Sequence, residues 1–200
     1  MKKQVVVIHG ADTFDTYEDS LKFLRNFEID SLEYFKGKNW KTSLQERLGD
    51  EFEVISPRMP NTLNAKYLEW KIWFEKLVPL LNEEVILIGH SLGGTFLAKY
   101  LAENDLPKRI TSLHIVAGAF DAEGTEESMG DFILPSNLDN VSRQTEKIFL
   151  YQSKDDVIVP PPNADKFKKA LPKAEVVIFE NLGHFHQEEF PELVENIKNS

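Results

Sequence analysis

The segment Val85–Thr95 reads VILIGHSLGGT and predicts a sharp turn between a strand and a helix. Its first four residues are apolar and favour a short strand, and a helix-compatible stretch follows at 95–102. The residues from Gly89 to Gly93 match G-x-S-x-G, in which a serine occupies the tip of the turn and small neighbours let strand and helix approach. This match predicts an exposed Ser91 hydroxyl at the carboxyl end of the strand. The backbone N–H of Leu92 should point toward the same spot.

Apolar runs alternate with helical periodicity along the rest of the chain, which favours parallel strands joined by crossover helices. We predict six strands, at 4–8, 53–56, 85–88, 111–117, 147–152 and 175–179. We predict helices at 39–48, 65–81, 95–102, 164–171 and 190–198, with Trp73 among the buried side chains of the second. The segment 118–139 is interpreted as a long loop with room for a short helix. These elements predict one α/β domain over 1–200, with a doubly wound, mostly parallel sheet.

Composition narrows the classes of partner. The 33 acidic and 23 basic residues give a formal net charge of −10, which disfavours nucleic acid or an anionic membrane surface as the main partner. The chain has no cysteine, so disulfides and thiolate chemistry are excluded. Only four apolar residues precede His9, too few for a signal-peptide core, and no run approaches the length of a membrane span. We therefore expect a cytoplasmic protein.

The loops that follow the predicted strands contain the candidate catalytic residues. In such sheets ligands bind outside the carboxyl ends of the strands. The loops there carry HGA at 9–11, HSL at 90–92, two aspartates at 155 and 156, and His184. A serine hydroxyl needs a base to remove its proton, and that base needs an acid to fix its tautomer. Ser91, an aspartate and His184 occur in a chain order known for such triads, with Asp155 and Asp156 both open as the acid.

The favoured base is His184, because Gly183 before it gives the loop freedom to present the imidazole. His186 follows two residues later and would point away from His184 if the backbone were extended. A metal cluster with Glu188 and Glu189 is disfavoured, because acidic residues there also suit the start of the last helix.

The oxyanion of a tetrahedral intermediate needs preorganised hydrogen-bond donors. The N–H of Leu92 is one candidate, and we expect the second from the loop after the first strand, at Ala11 or else Asp12. Three other histidines are expected to play structural roles: His9, His90 and His114.

Motifs over nearly the whole chain resemble those of the α/β-hydrolases, and in particular the small lidless serine hydrolases of the retinoblastoma-binding protein 9 type. The matching motifs are VVVIHG, the helix at Asn39-Trp40, MPN at 59–61, LEW at 68–70, GHSLGG, SKDDVIVP and GHF. In the acid loop of many α/β-hydrolases the acid stands four residues before a proline, which points to Asp156 here. The resemblance thus implies a Ser91–Asp156–His184 triad. It also implies a sheet with the strand order second, first, third, fourth, fifth, sixth.

The segment 14–38 departs from this family pattern, because it is longer than the corresponding loop and rich in Phe, Tyr and Leu. Two interpretations stay open: a partial lid or wall of an acyl pocket, and a satellite helix packed on the sheet edge. The extra length beside the oxyanion loop also leaves open whether Ala11 keeps the family's position.

These features predict an esterase-type serine hydrolase that cleaves a small carboxylic ester or thioester through an acyl-enzyme on Ser91. Its expected partner is a small acyl substrate, with no cofactor, no metal, no nucleic acid and no membrane span. An acyltransferase or a peptidase on the same triad remains an alternative, as does a non-catalytic binding protein that retains the fold. Oligomeric state is left open by the sequence.

Overall fold

The computed structural model describes residues 2–32, 37–123 and 128–200. Six strands lie in these ranges: β1 Lys3–Ile8, β2 Phe52–Ile55, β3 Glu84–His90, β4 Arg109–Val116, β5 Thr145–Ser153 and β6 Glu175–Phe179. The α-helices there are α1 Tyr17–Asn26, α2 Trp40–Leu48, α3 Tyr67–Leu77, α4 Leu92–Glu103, α5 Asp139–Gln144, α6 Pro162–Ala170 and α7 Pro191–Lys198. Short 3₁₀ turns occupy Val78–Leu80 and Gly130–Phe132.

The six strands all pair in parallel in the order β2-β1-β3-β4-β5-β6. This arrangement confirms the predicted fold class and strand order. Val5 of β1, for example, lies opposite Val54 of β2 and Ile86 of β3. Because the strands run in one direction, the loops after β1, β3, β5 and β6 emerge at the same edge of the sheet.

Helices cover both faces of the sheet, so the core has two halves. Val6 and Ile8 pack on one face, and Val5 and Val7 pack on the other. The largest buried helix side chains on the first face are Trp70, Phe74, Phe96 and Phe167, and those on the second are Trp40, Leu44, Leu193 and Ile197. Strands buried on both faces read as unbroken apolar runs, which is why β1 and β3 were recognisable in the sequence.

Helix α2 has clear signals at both ends. The Asn39 side chain accepts a hydrogen bond from the N–H of Lys41, and Thr42 Oγ1 accepts one from the N–H of Asn39. Gly49 ends the helix with a positive φ of 83°, which glycine adopts at little cost. The predicted bounds of 39–48 are therefore confirmed to within a residue.

The prediction of a helix at 65–81 needs correction in two respects. The regular helix covers Tyr67–Leu77, and Val78–Leu80 continues as a 3₁₀ turn that contains a proline. The Trp73 side chain is 47% exposed, because the buried stripe of α3 runs through Tyr67, Trp70 and Phe74 and leaves position 73 beside it. Helix α5 was not predicted, since its six residues carry too few apolar positions for a periodic signal.

The segment 14–38 contains helix α1, which packs only weakly on the body of the protein. Thr16 caps the helix by accepting from the N–H of Asp19, and Ser20 is the buried residue of the helix. Tyr17 is 72% exposed and Leu24 is 45% exposed. Residues 33–36, which complete the segment, lie outside the described residues. None of the helices in the described ranges has the length and apolar character needed to span a membrane.

Candidate active site

Ser91 stands between the last residue of β3 and the first residue of α4, with φ of 55° and ψ of −128°. A residue other than glycine in this region is strained, and such strain persists only where the surrounding structure imposes it. The surrounding glycines explain how it is imposed. A Cβ at Gly89 would lie 2.4 Å from the carbonyl oxygen of Gly93, and one at Gly93 would lie 2.3 Å from that of Ile8. The turn thus needs glycine both for the strand-to-helix approach and for contact with β1.

Asp156 and His184, from the loops after β5 and β6, form a buried pair. His184 Nδ1 lies 2.9 Å from Asp156 Oδ2, and the exposed fractions of the two residues are 8% and 3%. The other carboxylate oxygen of Asp156 accepts hydrogen bonds from the N–H groups of Ile158 and Val159, both at 2.9 Å. A carboxylate can only accept here, so the His184 proton is on Nδ1 and Nε2 is available as a base.

Asp155, the alternative acid, has different partners. Its Oδ1 accepts from the Ser153 hydroxyl at 2.5 Å and from the N–H of Gly183 at 2.9 Å. These hydrogen bonds lower the pKa of the Asp155 carboxyl. Asp155 therefore ties the β5 loop to the residue before His184, and the neighbouring Asp156 contacts the imidazole.

The loop around His184 is turned by two residues with positive φ, Gly183 at 51° and Phe185 at 57°. The condition attached to the expectation for His186 is not met, because the backbone is not extended between the two histidines. The His186 ring lies 5.6 Å from the His184 ring and 6.1 Å from the His90 ring. Burial, followed by the charge of nearby groups, lowers the pKa of His186.

Helix α2 and His90 hold the backbone of this loop. The Trp40 indole donates to the carbonyl of Phe185 at 3.0 Å, and the Trp40 N–H donates to the carbonyl of Gln187 at 2.8 Å. His90 Nε2–H donates to the carbonyl of His184 at 2.9 Å. The sequence predicted this helix and matched it to a family motif, without indicating its contact with the base loop. Its contact with the base loop joins residues about 145 positions apart, and no local signal reveals such a contact.

The Ser91 hydroxyl lies beside the loop after β1. A Cβ at Gly10 would lie 2.9 Å from Ser91 Cβ and 3.4 Å from Ser91 Oγ. Within the described residues, no hydrogen bond joins Ser91 Oγ to the His184 ring. The structure thus shows a hydrogen bond between Asp156 and His184, and none between Ser91 and this pair among the described residues.

Two backbone donors flank the nucleophile candidate. The N–H groups of Ala11 and Leu92 make no hydrogen bond within the described part of the chain, whereas the N–H of Asp12 donates to the carbonyl of Thr62 at 3.0 Å. Of the two predicted donors in the β1 loop, Ala11 therefore has the available N–H. His9 supports this loop: its Nδ1–H donates to the carbonyl of Gly10, and its Nε2 accepts from the N–H of Met59.

Three other imidazoles are buried or half-buried, and burial lowers their pKa values. The pKa of His9 is lowered, and that of His90 is lowered well below its usual value, where the nearby Lys41 cation adds to the effect of burial. His114 is enclosed in the sheet between Tyr151 and Ser112, whose hydroxyls each lie 2.9 Å from a ring nitrogen. Burial lowers the pKa of His114 to about 3, so it is neutral near pH 7.

An open groove of about 1210 Å³ lies between α1 and the loops after β1 and β5. Its apolar lining comes from Phe14, Phe23, Phe27, Val157 and Ile158, and its charged lining from Asp12, Asp15, Asp19, Lys22 and Glu28. Two groove-lining residues directly follow candidate site residues in the chain: Asp12 follows Ala11, and Val157 follows Asp156. Among the described residues, no group of three or more histidine or acidic side chains is arranged to hold a metal ion.

The fold agrees with the comparison to known families. A family model described as serine hydrolase matches residues 33–196. The chain belongs to the serine hydrolase family. Serine hydrolase RBBP9 of Rattus norvegicus is 25% identical over 149 residues, which cover 74% of this chain and 77% of that protein. The family assignment and its resemblance to RBBP9 thus confirm the family expected from the motifs.

The protein YdeN of Bacillus subtilis is also 25% identical, over 194 residues that cover 94% of this serine hydrolase and 89% of YdeN. The crystal structure of the ydeN gene product aligns with a TM-score of 0.79 at 20% identity, covering 99% of this chain and 98% of that one. The 2-hydroxy-6-oxo-6-phenylhexa-2,4-dienoate hydrolase BphD of Rhodococcus sp. strain RHA1 aligns with a TM-score of 0.65 at 16% identity, covering 98% and 89%. These likenesses establish the α/β-hydrolase fold.

Proposed function

We propose that this serine hydrolase is an esterase that cleaves a small carboxylic ester or thioester through an acyl-enzyme on Ser91. The observation that carries the proposal is the buried contact of 2.9 Å between His184 Nδ1 and Asp156 Oδ2. In the neutral imidazole this contact places the proton on Nδ1, so that Nε2 can act as a base at the edge of the sheet to which β3 delivers Ser91. Family membership supports hydrolysis, and the triad supports acyl transfer to a serine.

In the proposed mechanism, His184 Nε2 removes the Ser91 proton as Oγ attacks the acyl carbonyl. Asp156 fixes the imidazole tautomer and stabilises the positive charge that forms on the ring. The oxyanion accepts hydrogen bonds from the N–H groups of Ala11 and Leu92. His184 then donates the proton to the leaving alcohol or thiol, and water that it activates releases the acid.

This mechanism requires a hydrogen bond between Ser91 Oγ and His184 Nε2 during catalysis. Hydrogen bonds between catalytic groups are often long in the absence of substrate and tighten in the complex. The strained Ser91 backbone holds the residue at the tip of the turn between β3 and α4. We therefore propose that bound substrate brings the His184 ring into hydrogen-bond distance of Ser91 Oγ.

We further propose that the acyl chain lies in the groove beside α1, so that the segment 14–38 acts as a pocket wall or partial lid. The side of α1 that carries Phe23 and Phe27 lines the groove and is covered only in part by the rest of the protein. Such a wall would bind apolar chains through burial of their methylene groups, at about 0.8 kcal/mol for each.

The test is covalent labelling of the intact protein with a fluorophosphonate, followed by mass spectrometry. Wild type should gain one label, and Ser91→Ala and His184→Ala should gain none. Ser136→Ala is the matched control, because Ser136 is exposed and is not among the groove-lining residues, so it should not alter labelling. A folded wild type that resists the probe, or a Ser91→Ala variant that still reacts, would contradict the proposal. If wild type reacts with the probe, its hydrolysis of p-nitrophenyl esters would then show whether the reactive serine also turns over ester substrates.

A further inference from the structure

Lys41, in the first turn of α2, places an ammonium group at the edge of the candidate site. Its Nζ lies 3.4 Å from Nδ1 of His90 and 5.0 Å from the centroid of the Trp40 ring. The His90 Nε2–H is used by the carbonyl of His184, so Nδ1 of His90 is an acceptor toward Lys41. The ammonium is thus held in place by a neutral imidazole and an aromatic face.

This ammonium lacks the partner that a partly buried cation usually has. No carboxylate of the described residues lies within 4.0 Å of Lys41 Nζ, although the chain has 33 acidic and 23 basic residues. Burial of a charge without an opposite charge costs free energy and is retained mainly where it serves a function. The cost is visible in the pKa of Lys41, which burial lowers to about 8.

The position of Lys41 relates it to the nucleophile. Its contact residue, His90, directly precedes Ser91. Its charge also contributes to the lowered pKa values of His9, His90 and His186, which come from the loops after β1, β3 and β6. Lys41 therefore lies among the loops that surround the reacting atoms.

The groove beside α1 has the opposite charge. Asp12, Asp15, Asp19 and Glu28 line it, and Lys22 is the one basic residue among its lining residues in the described chain. An anionic group on the substrate would be repelled there and attracted to Lys41. The acidic groove and the Lys41 ammonium thus give an ester with one anionic end a preferred orientation across Ser91.

We propose that the Lys41 ammonium binds a carboxylate on the alcohol part of the substrate, so that the preferred substrates are short acyl esters of hydroxy acids. This proposal rests on the proposed function, and on the acyl chain lying in the groove. The planar carboxylate would accept from one of the two N–H donors of Lys41 that His90 does not use. A charge-assisted hydrogen bond in a partly desolvated site has enough free energy to select an acid over its neutral amide.

The test compares O-butyryl glycolate and O-butyryl hydroxypropionate with their neutral amides, which have the same shape and the same acyl group. In wild type, kcat/KM should be at least about tenfold higher for one of the acids than for its amide. The ratio should fall to near one in Lys41→Met and be largely kept in Lys41→Arg. Lys76→Met, which removes an exposed lysine in the last turn of α3, should leave the ratio unchanged.

The preference for the acid should also fall as pH rises through about 8, where the Lys41 ammonium loses its proton. The groups that face Lys41 are His9, His90 and His186, all with lowered pKa values, so they stay neutral over this range. Equal loss of acid and amide hydrolysis in Lys41→Met would assign the lysine a purely positioning role through His90 and overturn the proposal, as would a wild type that prefers the amides.

A binding measurement separates this proposal from the proposed function. Calorimetry with Ser91→Ala should give tighter binding of the acid than of the amide, and Ser91→Ala/Lys41→Met should lose the difference. If wild type cleaves no ester but Ser91→Ala still prefers the acid, the esterase assignment fails and the anion site stands. If the acid has no advantage in binding, the anion site fails whatever the activity.

Discussion

The indole nitrogen of Trp40 lies 3.0 Å from the carbonyl oxygen of Phe185, the residue that follows His184. Both residues are buried, and 145 positions separate them in the sequence. The first turn of α2 therefore fixes the backbone that carries the candidate base. The same turn carries Lys41, so α2 contributes to the site both mechanically and electrostatically.

We expect Trp40→Phe to lower kcat by about tenfold to a hundredfold, because the His184 loop loses a fixed contact. The unpaired Phe185 carbonyl should cost about 1–3 kcal/mol in the free energy of unfolding. Trp70→Phe is the matched control, since its indole donates to the carbonyl of Pro60, away from His184. Denaturation and ester kinetics should give similar stability losses but different kcat losses. Equal kcat losses would contradict a role for α2 in placing the base.

Asp156→Asn should lower kcat by about 10³–10⁴-fold, because an amide at this position no longer enforces the His184 tautomer with a proton on Nδ1. Asp155→Asn removes a carboxylate of the same loop that holds the N–H of Gly183 instead. It should reduce kcat by less than about tenfold, through looser positioning of the loop. The measurement is steady-state hydrolysis of an activated ester. If Asp155→Asn proves the more damaging change, the acid has been misassigned.

Phe23→Ala should raise KM for an octanoate ester by roughly tenfold and leave KM for an acetate ester nearly unchanged, because only the long chain would reach the groove wall. Leu24→Ala is a control on the same helix, since Leu24 is 45% exposed and is not among the groove-lining residues. The ratio of the two KM values is the readout. A Leu24→Ala variant that shifts this ratio as much as Phe23→Ala would argue against the groove as the acyl site.

Gly93→Ala should destabilise the protein by about 3 kcal/mol, because the new Cβ would lie 2.3 Å from the carbonyl oxygen of Ile8 and β1 must move. Gly49→Ala should cost only about 1 kcal/mol: its φ is 83°, and no heavy atom lies within 4 Å of its added Cβ. Urea denaturation at neutral pH measures both values. Similar costs at the two positions would indicate that β1 and α4 can separate without penalty.

Stability should fall as pH drops from about 7 to 5, and His114 should account for part of the loss. Burial lowers the pKa of His114 from 6.5 to about 3, so between these values the unfolded chain binds a proton that the folded chain excludes. The stabilisation is complete above pH 6.5 and is lost as pH falls toward 3, with about 2 kcal/mol gone at pH 5. His114→Gln should flatten the pH dependence of the unfolding free energy over this range. An unchanged slope in this variant would refute the assignment to His114.

Much of the fold could be predicted from the sequence because its signals are local. The apolar runs of β1 and β3 are buried on both faces, and Asn39 and Gly49 mark the ends of α2. The match to G-x-S-x-G placed Ser91 between a strand and a helix, and the positive φ of Ser91 agrees with the strain expected there. Helix α5 and the exposed Trp73 were missed, because a short helix and one side of an aromatic-rich helix depend on what packs against them.

The sequence by itself indicated the strained serine turn and offered His184 and two neighbouring aspartates as candidate base and acid, because these features depend on residue types at fixed local spacings. The strand order was implied by the resemblance to a known family. The tertiary structure decided which aspartate contacts His184, which N–H groups near Ser91 stay available, and where His186 lies. It also brought Lys41 to His90 and Trp40 to Phe185. These contacts join residues far apart in the chain, and their geometry follows from the packing of α2 on the sheet and from the positive φ of Phe185.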